Sequence, residues 1–128
     1  NFVLIDNVFF YRTGDLVSLK GEILHFHGRI DNQIKIRGHR VELEEVEYII
    51  KGIKGVLDCA IVPIDNGIIG MSLTLLVKFE SNGCKEFLCK TLNHKLPKYM
   101  RPTSIKTVDT IPLNANGKLD RHSLQYLI

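Results

Sequence analysis

Hydrophobic and polar positions follow two different spacings along the chain, and the spacing distinguishes strands from helices. Short apolar runs bounded by glycine, asparagine or charged residues predict strands, at 8–11, 16–19, 23–26, 34–36, 56–64, 71–79 and 105–108. Apolar residues that recur every three or four positions predict helices at 43–51 and 86–96, and a short third helix is predicted at 121–127. The chain is therefore expected to begin with strands and to continue with strands and helices mixed.

Beyond position 32, the predicted order is strand, helix, strand, strand, helix, strand, which is typical of an α+β fold. We expect a small sheet covered by two or three helices, preceded by a β-hairpin. A charged segment that contains Gly28 separates the hairpin from the rest of the chain. The expected organisation is residues 1–30 as a hairpin tail and residues 31–128 as a domain with its own core.

The composition excludes several classes of protein. Hydrophobic residues make up 45% of the 128 positions and charged residues 24%, which is ordinary for a globular domain and unlike a disordered chain. The net charge of +3 is too small to indicate nucleic-acid binding. The most apolar stretch, 68–77, is far shorter than the roughly 20 residues of a membrane span, so no span is expected.

The cysteines and histidines give no sign of a metal site. The three cysteines, Cys59, Cys84 and Cys89, are odd in number and no two have CxxC spacing, which favours free thiols in a cytoplasmic protein. His25 and His27 could share one face of a strand, but no third ligand has a suitable spacing. We therefore predict no metal bound by these residues.

A first polar cluster, YRTGDL at 11–16, follows a strand. Asp15 lies beside Gly14, and an aspartate placed in this way can accept hydrogen bonds from the two hydroxyl groups of a ribose. The alternative is a simple hairpin turn, which these six residues alone favour.

A second cluster, GRIDNQIKIRGHRVELEEVE at 28–47, carries several cations around Asp31, beginning with Arg29. Cations pair with phosphates, and a link between domains can absorb rotation, so the segment could contact phosphates and act as a hinge. A solvated charged strand ahead of an amphipathic helix explains the same residues equally well.

A third cluster, PLNANGKLDR at 112–121, places Lys118 on a glycine-containing loop. A lysine there could stabilise the negative charge that develops in acyl or phosphoryl transfer. The loop lacks the spacing of a P-loop. Taken alone, it is better explained as a surface turn before the last helix.

In their order and spacing, the three clusters resemble the C-terminal core motifs of adenylate-forming enzymes. This superfamily contains acyl-CoA synthetases, adenylation domains of nonribosomal peptide synthetases, and luciferase. LPKYMRP at 96–102 is similar to a further family segment, and the resemblance runs from Tyr11 to Leu124. The chain looks most similar to the amino-acid-activating branch, which includes D-alanine–carrier protein ligases.

The resemblance implies a two-step reaction and a role for five residues. ATP and a carboxylate form an acyl-adenylate, and the phosphopantetheine thiol of a carrier protein then takes the acyl group. By motif position, Asp15 would bind the ribose hydroxyls and Arg29 would lie near the ribose or phosphate. Asp31 would be the hinge, and Gly38 would line the approach of the thiol arm. Lys118 would be the catalytic lysine of the first step.

The resemblance also implies a partner. Residues 1–30 look like the tail of a large N-terminal domain, which would bind most of ATP and its Mg²⁺, and 31–128 like a mobile lid. The isolated chain is therefore expected to be inactive. Two alternatives remain open: the lid of an acyl-CoA synthetase, with CoA as acceptor, or a stand-alone lid-like module that docks a carrier protein without catalysis.

Overall fold

The computed structural model describes residues 1–128, and the chain divides into two compact units, Asn1–Gln33 and Ile34–Ile128. The strands are β1 (Phe2–Ile5), β2 (Val8–Tyr11), β3 (Asp15–Lys20), β4 (Ile23–Arg29), β5 (Gln33–Ile36), β6 (His39–Glu42), β7 (Val56–Asp65), β8 (Met71–Phe79) and β9 (Ser104–Thr107). The α-helices are α1 (Leu43–Lys51), α2 (Lys85–Lys95) and α3 (Arg121–Leu124). Three 3₁₀ turns lie at Gly67–Ile69, Lys98–Met100 and Gln125–Leu127.

The first unit consists of two antiparallel ribbons, β1–β2 and β3–β4. The sequence pattern missed β1 and placed the end of β4 at residue 26. The register shifts between Leu16 and Val17, because β4 carries one extra residue opposite this point. This bulge lets β4 continue through Gly28 to Arg29.

No residue of the first unit is buried, although its strands are rich in large apolar side chains. Phe9 is 73% exposed and Phe26 67% exposed. A two-stranded ribbon cannot cover two apolar faces by itself, and such ribbons are marginally stable in water. The first unit therefore has no hydrophobic core of its own.

The second unit is built on a three-stranded sheet in the order β7-β8-β9. Strands β7 and β8 are antiparallel, and β8 and β9 are parallel. Side chains alternate between the two faces of a strand, so that Cys59 and Ile61 join one core cluster and Ala60 and Val62 join another. The sheet is therefore covered on both faces.

Helices α1 and α2 cover the first face, and α3 covers the second. Helix α1 buries Leu43, Val46 and Ile50, which fall at helical spacing, while Leu124 of α3 lies in the opposite cluster. This arrangement confirms the predicted α+β fold with a small sheet and two or three covering helices. None of the helices has the length and apolar character needed to cross a membrane.

Candidate functional site

Three of the predicted site residues meet in the first unit, where Arg29 joins two carboxylates. Asp15 and Arg29 are direct partners across β3 and β4, and Arg29 Nη1 donates to Asp15 Oδ1 at 3.2 Å. Arg29 also holds Asp31 with two hydrogen bonds, from Nε to Oδ1 at 2.7 Å and from Nη2 to Oδ2 at 2.8 Å. The strand register thus places the predicted ribose ligand, the predicted phosphate contact and the predicted hinge residue side by side.

The two carboxylates favour the charged form of Arg29. The hydrogen bond to Asp31 and the negative charges of Asp31 and Asp15 raise the pKa of Arg29. Gly14 fits the cluster closely, because its φ is +82° and an added Cβ would lie 3.0 Å from Arg29 Nη2. Asp15 is one-third exposed and offers a carboxylate at the surface of this unit.

In the second unit, Gly38 lies at the turn between β5 and β6. Arg37 and Gly38 both have positive φ, 48° and 81°, as the two central residues of a type I′ hairpin turn do. A Cβ at Gly38 would meet no atom within 4 Å. The backbone conformation alone therefore accounts for a glycine here, and the predicted role in the approach of the thiol arm stays a prediction.

A cavity of about 290 Å³ includes this turn in its lining. Arg37 and Lys98 contribute positive charge to it, and Tyr99 forms part of its wall. The ring of His39, which follows Gly38, stacks on Tyr99 with centroids 3.9 Å apart and planes 9° apart. The stack ties the β5–β6 hairpin to the segment after α2.

Lys118 lies on a small hairpin after β9 that Asn114 closes. Asn114 Oδ1 accepts from the backbone N–H of Asn116 at 2.9 Å and from that of Lys118 at 3.1 Å. The backbone N–H of Asn114 also donates to the carbonyl oxygen of Lys118 at 2.6 Å. The hairpin closes through Gly117, with a φ of +77°, and through a bridge between Leu113 and Leu119. The backbone of Lys118 is held on both sides, while its side chain is exposed and takes part in no ion pair.

The residues after Lys118 fix the base of this hairpin. Leu119 packs against the second core cluster. Asp120 caps α3 by accepting from the backbone N–H and the hydroxyl group of Ser123, at 3.3 and 2.6 Å. The hydrogen bond from the Ser123 hydroxyl is the main reason that the pKa of Asp120 is lowered. The backbone N–H of Asp120 donates to Pro112 at 2.9 Å, which joins the two ends of the hairpin.

Arg121 forms a two-pronged ion pair with Glu47 of α1. Arg121 Nη1 and Nη2 lie 3.0 Å from Glu47 Oε1 and Oε2. Glu47 is buried, and its Oε1 also accepts from the backbone N–H of Ile61 at 2.8 Å. Arg121 Nη1 donates to the carbonyl oxygen of Ile61 at 3.2 Å. The pair therefore connects α1, β7 and the end of the Lys118 hairpin.

The sequence pattern did not reveal the work of Glu47 or Asn114. In the sequence, Glu47 is one of several acidic residues near the start of α1, where the helix dipole favours carboxylates. One signal was present: Glu47 follows Leu43 by four positions and precedes Ile50 by three, which places it on the apolar face of the helix. No comparable signal marks Asn114, since any loop can contain asparagine.

A family model and several relatives match this chain. The model of the AMP-binding enzyme C-terminal domain matches residues 45–118. The chain belongs to this family. The resemblance that the motifs indicated is therefore confirmed at the level of the family, and the matched segment ends at Lys118.

Two bacterial relatives share more than a third of their aligned residues with this chain. A D-alanine--D-alanyl carrier protein ligase of Bacillus cytotoxicus is 38% identical over 97% of this chain. A plipastatin synthase of Bacillus subtilis is 41% identical over 89% of this chain. The chain spans 26% of the first protein and 3% of the second.

Solved structures agree with this assignment. A four-domain nonribosomal peptide synthetase bound to AMP and glycine has a TM-score of 0.66, with 36% identity over 95% of this chain and 10% of that one. An o-succinylbenzoate CoA synthetase of Bacillus subtilis has a TM-score of 0.79, with 25% identity over 89% of this chain and 24% of that one. Both matches cover most of this chain and a small part of the solved chain.

Proposed function

We propose that this chain is the C-terminal part of an ATP-dependent ligase that activates an amino acid and transfers it to a carrier protein. The observation that carries the proposal is the similarity to a D-alanine--D-alanyl carrier protein ligase, which extends over 97% of the chain. The similarity to a plipastatin synthase and to a peptide synthetase bound to AMP and glycine supports the same reaction class.

The first step that we propose joins the carboxylate to AMP. A carboxylate oxygen attacks the α-phosphorus of ATP, a new carboxyl–phosphate bond forms, and the bond to pyrophosphate breaks. Both reactants are anions, so a cation between them offsets their repulsion and favours the transition state. Lys118 suits this role because its backbone is held by Asn114 while its ammonium group is exposed and outside any ion pair in the chain.

The second step that we propose transfers the acyl group to sulfur. The phosphopantetheine thiol loses its proton to solvent, the resulting thiolate attacks the carbonyl carbon, a thioester forms, and the bond to AMP breaks so that AMP leaves. Gly38 would line the approach of the arm. Positive charge from Arg37 and Lys98 in the neighbouring cavity suits the phosphate group of phosphopantetheine.

We propose that the first unit binds the nucleotide and carries the hinge. Asp15 would accept hydrogen bonds from the ribose hydroxyls, Arg29 would lie near the ribose or phosphate, and rotation would occur at Asp31. The exposed apolar faces of residues 1–30 support their packing in a larger N-terminal domain of the same polypeptide. Residues 31–128 would then be the lid, and the whole protein would be cytoplasmic.

Mg²⁺ enters this proposal only with ATP. The chain has no cluster of three or more histidine, cysteine or carboxylate side chains that could hold a metal ion. We assign no step to the residues of this chain through a metal. In the proposed enzyme the large N-terminal domain would bind it.

The test measures amino-acid-dependent exchange of pyrophosphate into ATP. It uses the full-length polypeptide that contains this chain. The panel contains D-alanine and the L-amino acids, and Lys118→Ala is the control variant. We expect exchange with one amino acid, reduced by about 10²–10³ in the variant. Exchange with none of them, but with a fatty or aryl acid, would instead support the acyl-CoA synthetase alternative. No exchange with any acid would favour the non-catalytic carrier-docking module.

A further inference from the structure

The pair of Glu47 and Arg121 has no part in the chemistry described above, but Arg121 lies close in sequence to the proposed catalytic lysine. Arg121 follows Lys118 by three residues, and its guanidinium group holds Glu47 through two hydrogen bonds of 3.0 Å. The side chains of Arg121 and Glu47 are 22% and 7% exposed. Two hydrogen bonds between partners that are so little exposed to solvent favour one geometry. Distorting either bond weakens the pairing of the buried Glu47 carboxylate.

The pair also satisfies two backbone groups on the open edge of the sheet. Strand β7 is an outer strand, and the N–H and C=O of Ile61 are bound by Glu47 Oε1 and Arg121 Nη1 instead of a neighbouring strand. Ile61 is fully buried, so these two backbone groups need partners. Both members of the pair are thereby held to the backbone of the same residue of β7.

We propose that Glu47 and Arg121 are positioning residues that hold the Lys118 hairpin against β7 and α1, an inference that rests on the proposed role of Lys118. Asn114 fixes the shape of the hairpin from within, and Arg121 fixes its place on the second unit. The Lys118 ammonium group must lie between two anions, so the hairpin that carries it has to be held in place. A displacement of about 1 Å of a catalytic group can cost about 10²-fold in rate.

Glu47→Gln tests this inference with little change in size. The amide oxygen of glutamine can still accept from Ile61, whereas its NH₂ group cannot accept from Arg121. Glu44→Gln is the matched control: Glu44 is on the same helix, approaches the same arginine at 3.5 Å, and is 59% exposed. We expect Glu47→Gln to lower the kcat of adenylate formation at least about tenfold with little change in the KM for ATP. Glu44→Gln should change it less than about twofold.

Four further readouts separate positioning from loss of fold. In the Lys118→Ala background, Glu47→Gln should cause no additional loss, because it acts through Lys118. Thiol transfer from a supplied acyl-adenylate should be unchanged in Glu47→Gln.

Ile50→Val, a core change on the same helix, should lower the thermal midpoint without this selective loss of the first step. Arg121→Lys should retain part of the activity, because lysine keeps the charge but not the paired geometry.

Amide hydrogen exchange of the hairpin gives an answer that does not depend on activity. Exchange at 114–120 should be faster in Glu47→Gln than in Glu44→Gln. Equal exchange in the two variants, or an equal loss in both half-reactions, would overturn the inference even if the wild type is active. A wild type without ATP–pyrophosphate exchange would instead refute the proposed function, and faster hairpin exchange would still support the structural part of the inference.

Discussion

The two units of this chain use apolar residues in opposite ways. In the second unit, Ile61 and Leu75 are completely buried between helices and sheet. In the first unit, Phe9 and Phe26 are about as apolar but are more than 60% exposed. An apolar run in the sequence identifies a strand whose apolar face needs to be covered by other residues. Those residues can lie outside the unit that contains the strand.

The ion pairs of the two units differ in the same sense. Arg29 and Arg121 are about equally exposed, at 24% and 22%, and the difference lies in their partners. Asp15 and Asp31 are 33% and 42% exposed, so that solvent screens their pairs with Arg29. Glu47 is 7% exposed and is tied to the backbone of β7. The first arrangement suits a ligand site and a hinge, and the second suits a fixed support.

The largest expected contrast is in independent folding. Residues 34–128, produced separately, should unfold in one cooperative thermal transition, because both core clusters lie within them. Residues 1–33 should show no transition, because none of them is buried. Circular dichroism on heating checks this. A cooperative transition in residues 1–33 would break the comparison between the units.

A matched pair of leucine substitutions measures the same contrast within the intact 128-residue chain. Leu75→Ala removes a fully buried side chain and should lower the free energy of unfolding by about 2–5 kcal/mol. Leu24→Ala removes a side chain that is 68% exposed and should change it by less than about 0.5 kcal/mol. Urea unfolding gives both values. Similar losses would show that the first unit has a core after all.

Alkaline pH should destabilise the second unit through one buried thiol. Burial raises the pKa of Cys59 from 9.0 to about 12, so the unfolded chain loses this proton at a lower pH than the folded chain. The contribution to stability is complete below pH 9 and is lost as the pH rises towards 12. The free energy of unfolding should fall by up to about 1.4 kcal/mol per pH unit in this window.

The control for this prediction is Cys84, which is exposed. Cys59→Ala should flatten the dependence on pH above 9, and Cys84→Ala should leave it intact. Urea midpoints at pH 8, 9 and 10 give the slopes. If Cys59→Ala keeps the wild-type slope, the thiol is not the group responsible.

The smallest expected effect concerns an exposed ion pair on the same helix as Glu47. Lys51 lies 3.2 Å from Asp58, and the two side chains are 49% and 36% exposed. Lys51→Gln should lower the free energy of unfolding by less than about 1 kcal/mol, because solvent screens the pair. Urea unfolding in low and high salt checks this. A larger loss that persists in high salt would contradict the distinction between surface and interior pairs.

The sequence was sufficient where one type of spacing was repeated. Helix α1 and strands β7 and β8 were predicted within about two residues because their apolar residues recur regularly. Strand β6, with Val41 as its one apolar residue, could not be predicted, because its pairing depends on the turn at Arg37 and Gly38. The bulge that extends β4 likewise arises from pairing with β3.

The sequence offered candidate residues but not the connections between them. Motif spacing predicts roles for Asp15, Arg29 and Asp31 that stay predictions, whereas their contact follows from the strand register. The 74-residue separation of Glu47 and Arg121 carried no signal of a contact, because tertiary packing brings them together. Sequence patterns describe neighbours along the chain, and in the proposed support of Lys118 Glu47 is the residue that lies far along it.

The most direct test of the central proposal compares the two half-reactions in Lys118→Ala, using the polypeptide as it is encoded. Lys106→Ala, which changes an exposed lysine on β9, is the control. We predict that adenylate formation falls by about 10²–10³ in Lys118→Ala, while thiol transfer from a supplied acyl-adenylate keeps the wild-type rate. Adenylate formation at the wild-type rate, or an equal loss in both steps, would contradict the role given to Lys118.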